Sequence, residues 1–444
     1  MRKLLDGVMY IILVILVVIL GVLVFKNYTM RDVPGKVEVE MTHPEDIPEV
    51  IFPSMDDKYL PEAGENAFSV NLAVAGDMVI HSGLNDEAHD EQADTYDYSE
   101  IFAEANSLLT NAHYSVACLE TTFPDTKEYT GYPLFCSPES LAGDIKESGI
   151  DLISTASNHA LDGYVGGLRR TLDVLDNNGL AHVGSYRSQE ERDEHKGVTF
   201  ADVGGVNVAF LAYAYGTNGG SHYNNDYCLN IYHEDYMNGA GEVKYDMMRS
   251  DLEYAKSQDP DIIAVFMHWG DEYSTEPNAE QNEIADFLFY EGADIILGGH
   301  THVPQPMELR EFEDKDGSKK TGFIVYSLGN FISCQNDART NLTAILNIEI
   351  TKDPDSGLSW VSGVGYTPMF MVDTEDHGIS SSKVGWHYRL WDLHKAIDGY
   401  AAGDDKGVIN EALSTAMNEG LNEIHSILGK DFDLYYCQDG SNAA

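Results

Sequence analysis

The first regularity along the chain is an uncharged, almost wholly apolar run at residues 7–25 (GVMYIILVILVVILGVLVF), behind Met1-Arg2-Lys3 and a lone Asp6. As a helix rising ~1.5 Å per residue it would span roughly 28 Å, which matches a hydrocarbon core of about 30 Å. A cleaved signal peptide has a shorter apolar region and an A-x-A-like site. Here Phe25-Lys26-Asn27-Tyr28 follows instead. Arg2 and Lys3 favour a cytoplasmic N-terminus, although Lys26 and Arg31 weaken that bias. The pattern predicts a single-pass membrane anchor over 1–26, with the bulk of the chain extracytoplasmic.

Residues 27–66 show no sustained period. Pro34, Pro44, Pro48, Pro53 and Pro61 stand among many carboxylates, the composition of a tether. From Phe68 onward, apolar strand-like runs alternate with helical stretches, which predicts a layered α/β domain. The runs are 68–76, 114–120, 151–159, 206–215, 261–269, 293–300 and 322–330. Between them, Leu168, Leu172 and Leu175 fall at helical spacing over 166–178, with Gly179 as the stop. Ile284, Phe287 and Leu288 mark one face of a second helix over 279–291. The polar, Tyr-, Asn- and Gly-rich segment 217–246 reads as a long loop of the kind that flanks functional sites. Beyond about residue 385 amphipathic helical patterning returns. The expected organisation is therefore an anchor (1–26), a tether (27–66), a central domain (67–384) and a helical C-terminal appendage (385–444).

Charge narrows the function. Against 27 Lys+Arg stand 74 Asp+Glu, a formal net charge of −47 over 444 residues. Such a chain repels a phosphate backbone, which excludes nucleic-acid binding driven by counterion release. A polyanionic substrate would need bound cations to intervene. The five cysteines contain no C-x-x-C pair, so a structural zinc site is not expected.

The chemistry-bearing residues share a position. Asp77 follows the first strand, Glu120 closes the second and Asn158-His159 close the third. His268 ends the run at 261–269, and His300 ends the run at 293–300 with His302 two residues on. Ligands of open α/β sheets gather beyond the carboxyl ends of the strands. Carboxylate and amide oxygens with imidazole nitrogens, and no thiolate, suit hard or borderline divalent metals. In an extended segment His300 and His302 point to one side, so both reach a common centre.

The series AGDMVIH (75–81), ACLETTF (117–123), SNHALDGYVGGLRRTLDVLDNNGLAHVGS (157–185), HWGDEY (268–273), GADIILGGHTHVPQP (292–306) and YSLGNF (326–331) resembles the CapA family. That family is associated with poly-γ-glutamate capsule synthesis and resembles the calcineurin-like metallophosphatases. The likeness spans roughly residues 68–335. It implies an α/β fold, a layered metallophosphatase-like β-sandwich flanked by helices and preceded by one transmembrane helix. It also implies a site for two divalent ions (Mn, Fe or Zn). Asp77 would bind one ion with His302, Glu120 would bridge, and Asn158, His268 and His300 would complete the other. His159 would lie beside the substrate as a proton donor, oriented by Asp162. The substrate would be an anionic polymer or a phosphoester, and capsule-synthase subunits are the implied partners.

The chain also departs from the metallophosphatase pattern. Asp77 is followed by Met78 and Val79 in place of the D-x-H motif, and the nearest histidine, His81, is either a displaced ligand or a polar loop residue. Glu120 replaces the usual Asp, and Cys118 stands where the family commonly has Asn. Trp269, Tyr273 and Gln281 match family positions without a derivable role, and Asn330 is either a pocket residue or a strand-end turn. Two functions stay open: a metal-dependent hydrolase in capsule polymer synthesis, or a non-enzymatic polymer-binding or export component.

Overall fold

A computed structural model describes residues 60–405 and 407–437, with residue 47 and residues 50–53 ahead of them. The expected membrane span at 7–25 lies outside the described residues. Among those described, no helix is long and apolar enough to cross a membrane. The longest helices have 14 residues, or ~21 Å, well short of a hydrocarbon core. This corrects the expected architecture: the transmembrane helix, the membrane as a partner and the single-pass extracytoplasmic location are not carried further.

The strands that build the fold are, in chain order, β1 (Phe68–Met78), β2 (Tyr114–Leu119), β3 (Leu152–Ser154), β4 (Ala181–Val183), β5 (Val198–Val203), β6 (Val206–Ala214) and β7 (Ile262–His268). They continue with β8 (Ile295–Gly299), β9 (Pro304–Glu313), β10 (Lys319–Leu328), β11 (Asn330–Ile332), β12 (Leu342–Asp353), β13 (Leu358–Asp373) and β14 (Tyr388–Asp392). One sheet runs β14-β13-β12-β1-β2-β3-β4, with β11 pairing the end of β1. The other runs β9-β10-β8-β7-β6-β5. The first is antiparallel from β14 through to β1 and parallel from β1 to the β4 edge, whereas the second has a parallel centre between antiparallel flanks. β1 to β4 are parallel neighbours in the first, as are β6, β7, β8 and β10 in the second.

The period of two along each strand explains the layering. In β6, Val208, Phe210 and Ala212 face the main core while Ala209, Leu211 and Tyr213 face a second one. β7 repeats this with Ile262, Ala264 and Phe266 against Ile263, Val265 and Met267. The main core lies between the sheets, where Tyr114 of β2 stacks on Phe210 of β6 at 6.1 Å. The second core is the outer face of the smaller sheet, covered by Met248 and Leu252 of α1 (Tyr245–Ser257) and by Ile284 and Leu288 of α2 (Ala279–Glu291). The α2 range is the one its sequence pattern predicts. The helix expected over 166–178 is also present, as Tyr164–Asn177.

Two expectations shift. Only residues 152–154 of the run 151–159 are strand, so Asn158 and His159 sit in the turn beyond it. Residues 388–392, inside the segment expected to be helical, form β14 on the edge of the first sheet; helices follow at Leu393–Ala402 (α3) and Glu411–Ile424 (α4).

Candidate metal centre

β1 does not end as a plain strand. Its register against β2 shifts between Val74 and Asp77, a bulge that re-aims the side chains beyond it. Gly76 makes room for the shift: a Cβ there would lie 2.1 Å from the carbonyl oxygen of Gly329, and Asp77 N–H donates to that same carbonyl at 3.0 Å. Asp77 is thereby buried, opposite Cys118 of β2. Its Oδ2 accepts the backbone N–H of His300 at 2.6 Å.

His268 arrives from the other sheet. It continues the inward parity of Ile262, Ala264 and Phe266, so its ring enters the space between the sheets. Nε2–H donates to Asn158 Oδ1 at 2.8 Å, and Glu120 Oε1 stands 3.4 Å from the same nitrogen. The His300 ring lies 4.8 Å from that of His268, and His302 lies 6.0 Å from His300. Asp77, Glu120, Asn158, His268, His300 and His302 are all buried, and these contacts gather them from both sheets.

The extended geometry expected of 300–302 is wrong. β8 stops at Gly299, and His300 and His302 take φ of 90° and 61°. Left-handed backbone at a residue with a Cβ costs of order 1–3 kcal/mol and is held only by its surroundings. Here the hydrogen bonds from His300 N–H to Asp77 and from Tyr273 N–H to the Thr301 carbonyl hold it. The turn still turns both rings toward the centre. Asn330 answers its open question as a pocket residue: it accepts His302 Nδ1–H at 2.9 Å and is held by donating to Gln335 and to the Thr340 carbonyl. That leaves His302 Nε2 as the free ligand atom.

Four lone-pair-bearing atoms at this spot are buried without a hydrogen-bond partner: Asp77 Oδ1, both oxygens of Glu120, and His300 Nδ1. Each unmet buried group costs about 1–3 kcal/mol, more when charged. Concentrated at one point, they fit divalent cations and little else. Electrostatics agrees. Burial pushes the Asp77 carboxyl up despite the opposing His300 N–H, and burial with the nearby Asp77 charge pushes Glu120 well above its ordinary value. Burial, then mutual repulsion, drives His268 well below the usual imidazole range; burial, then repulsion by His302 and His159, does the same to His300. A cation would reverse the first effect by stabilising the paired carboxylates, and imidazoles that resist protonation are already in the neutral form that ligates one.

One donor corrects the thiolate-free reading. Cys118 Sγ, Asp77 and His268 each offer a ligand atom, all within 4.8 Å of one another. The parallel register of β1 and β2 places Cys118 there, with its thiol pushed up first by burial and then by Asp77 and Glu120. A second cluster, His394, His425 and Asp433, meets the same spacing. The described residues thus hold two candidate metal clusters; the first, with the unpartnered atoms of Glu120 and His300 beside it, is consistent with a binuclear divalent-metal site whose metal the donors leave unspecified.

A sequence model of the bacterial capsule synthesis protein PGA_cap matches residues 71–335. The chain belongs to the PGA_cap family. It is 26% identical over 291 residues to the capsule biosynthesis protein CapA of Bacillus anthracis, covering 63% of this chain and 64% of the relative. It is 30% identical over 209 residues to the PGA biosynthesis protein CapA of Bacillus subtilis strain 168, covering 47% and 49%. The chain therefore matches less than two thirds of either relative's length. The solved structure of the calcineurin-like phosphoesterase YfkN of Bacillus subtilis aligns at 11% identity, covering 84% of this chain and all of that one (100%), with a TM-score of 0.39, too low to carry an argument.

Around the PGA_cap centre the remaining expected residues find partners. His159 Nδ1–H donates to Asp162 Oδ2 at 2.8 Å, and Asp162 also accepts the backbone N–H of Phe135 at 2.6 Å. Phe135, unremarked in the sequence, presses its ring edge-on against both His159 and His81 at 4.6 and 5.0 Å. His81 Nδ1 instead reaches the Val79 carbonyl at 3.1 Å, which commits that nitrogen to the backbone. The long polar segment does flank the site: Asn218 Nδ2 approaches His159 Nε2 at 3.5 Å, and Asn218 Oδ1 accepts the hydroxyl of Tyr215, whose ring lies 4.5 Å from His300. Gln281 and Trp269 have structural tasks. Gln281 completes a capping box with Asn278 at the start of α2, and Trp269 Nε1–H donates to the Tyr326 carbonyl. Tyr273 stands exposed at the mouth, 5.9 Å from His302. Tyr215 and Phe135 were missed because no short-range pattern marks them.

Proposed function

We propose that the chain is a divalent-metal-dependent hydrolase of capsule polymer synthesis, cleaving a phosphoester or an amide link of an anionic polymer. The observation that carries this reading is the group of buried, unpartnered oxygen and nitrogen atoms of Asp77, Glu120 and His300, set beside a histidine that holds a proton-transfer position.

Asp77, Glu120, Asn158, His268, His300 and His302 would hold the ions, with Cys118 within reach of Asp77 and His268. Bound cations would supply an activated water and draw off negative charge that develops on the scissile group. Asp162 holds His159 with its Nδ1–H committed, so Nε2 is the atom left to face a leaving group, and the doubly protonated ring would give its proton from there. Asn218 and Tyr215 line the approach to that atom. Phe135 closes one side of His159 against water. The names of the two Bacillus relatives connect the family with capsule and PGA biosynthesis, and that is the source of the polymer assignment.

A second reading, a polymer-binding or export component without turnover, is favoured by the net charge of −47, which repels an anionic polymer from everywhere except a cation-loaded centre. One experiment separates the two. The metal-analysed chain is assayed on aryl phosphoesters and on γ-glutamyl polymer, with and without chelator. Metal-dependent release of phosphate or of shortened polymer supports the hydrolase; bound metal with polymer binding and no product supports the scaffold.

A further inference from the structure

We propose that His394, His425 and Asp433 form a separate, mononuclear zinc-type site that fastens the C-terminal helices to the edge of the larger sheet. The three residues come from three segments outside the family-matched region. His394 is the second residue of α3, His425 follows the last turn of α4, and Asp433 lies in the short turns after it.

Their ligand atoms converge. Nε2 of His394 and Nε2 of His425 each stand 2.7 Å from the same oxygen, Asp433 Oδ2. The Asp433 carboxylate is fully buried, and the two imidazoles are 8% and 11% exposed. The rings are held in these orientations by aromatic neighbours. Tyr435 stacks on His394 at 4.0 Å with an interplanar angle of 7°, and Tyr436 lies 5.5 Å from His394 and 5.8 Å from His425. Two imidazole nitrogens and one carboxylate oxygen, with a fourth position left for water, make a donor set suited to zinc. Loading requires each imidazole to present Nε2 without its hydrogen, the ring keeping its proton on Nδ1. The alternative state is a latch of two hydrogen bonds to one carboxylate oxygen.

The site is distinct from the central one. Asp433 pairs beside Tyr366 of β13, Tyr366 lies opposite Leu346 of β12, and Leu346 lies opposite Val74 of β1. Three strand spacings put it roughly 14 Å from β1, whereas the ions of a two-metal centre sit about 3.5–4 Å apart.

The test counts metal on the full chain after chelator treatment and dialysis against limiting Zn²⁺ or Co²⁺. His425→Gln should hold one ion fewer per chain than wild type. In a chain already carrying His268→Ala and His300→Ala, adding His425→Gln or Asp433→Asn should again remove one ion. Co²⁺ bound to the His268→Ala/His300→Ala chain should show the intense visible bands of four-coordinate cobalt, and these should vanish with His425→Gln. Equal metal counts with and without His425→Gln in both backgrounds would establish the hydrogen-bond latch and overturn the site.

Discussion

His159 separates chemistry from metal holding at the level of one side chain. Its neighbour Asn158 faces His268, while its own ring is tied to Asp162. His159→Gln should therefore retain the full metal count and the fold while lowering turnover by ~10²–10⁴-fold. Metal analysis beside an activity assay checks this, and full activity in the variant would remove His159 from catalysis. His81 supports a second prediction. Burial, then repulsion from His302 and His159, lowers its pKa from 6.5 to about 4. An imidazole kept neutral in the fold but protonated in the unfolded chain contributes stability that is complete above pH ~6.5 and is lost as pH falls toward 4. After allowance for partial exposure the loss is on the order of 1–2 kcal/mol. Denaturant titrations at pH 7 and pH 4.5 should show a smaller pH dependence for His81→Asn than for wild type. Identical dependence would show that His81 is not held neutral in the native state.

Elements act by where they end. β1 reaches the centre only because its bulge and Gly76 let the chain pass close to Gly329, and β8 hands over to a left-handed turn that carries both His300 and His302. α2 shows how a short signal governs a helix start. Asn278 Oδ1 accepts Gln281 N–H and Gln281 Oε1 accepts Asn278 N–H, both at 2.9 Å. Gln281 Nε2 then donates to Gln305, whose own amide holds the carbonyls of Ser274 and Glu276. Asn278→Ala should cost about 1 kcal/mol from the lost cap. Gln281→Ala should cost more, because it also strands Gln305 in a buried network. Urea midpoints of the two variants test the order, and a reversed order would place the support of this loop elsewhere.

Across the whole molecule, the centre joins two sheets through groups that are costly to bury alone. Asp77, Glu120 and Cys118 come from the larger sheet, and His268 and His300 from the smaller. Chelation should therefore lower the melting temperature, and Zn²⁺ or Mn²⁺ should restore it. An ion at a hundred times its Kd stabilises by ~2.7 kcal/mol. Calorimetry with and without chelator measures the shift; an unchanged melting temperature in a chain shown to lose its ions would mean the sandwich stands without them.

The sequence by itself determined the class of fold and named most of the buried polar residues that the structure gathers at the candidate centre. Apolar runs of strand length alternating with helical periods specify a layered α/β domain, because burial on two faces demands those periods whatever lies far along the chain. Donor residues at the ends of those runs could likewise be read locally. Tertiary structure alone decided the rest. Cys118 became a donor because strand register set it opposite Asp77, and Phe135 and Tyr215 became walls because long-range packing brought them in. The three-segment cluster of His394, His425 and Asp433 had no visible spacing for the same reason: its members are neighbours only through the edge of a folded sheet. Contacts between distant segments carry no period along the chain, so they become legible only when the chain is closed on itself.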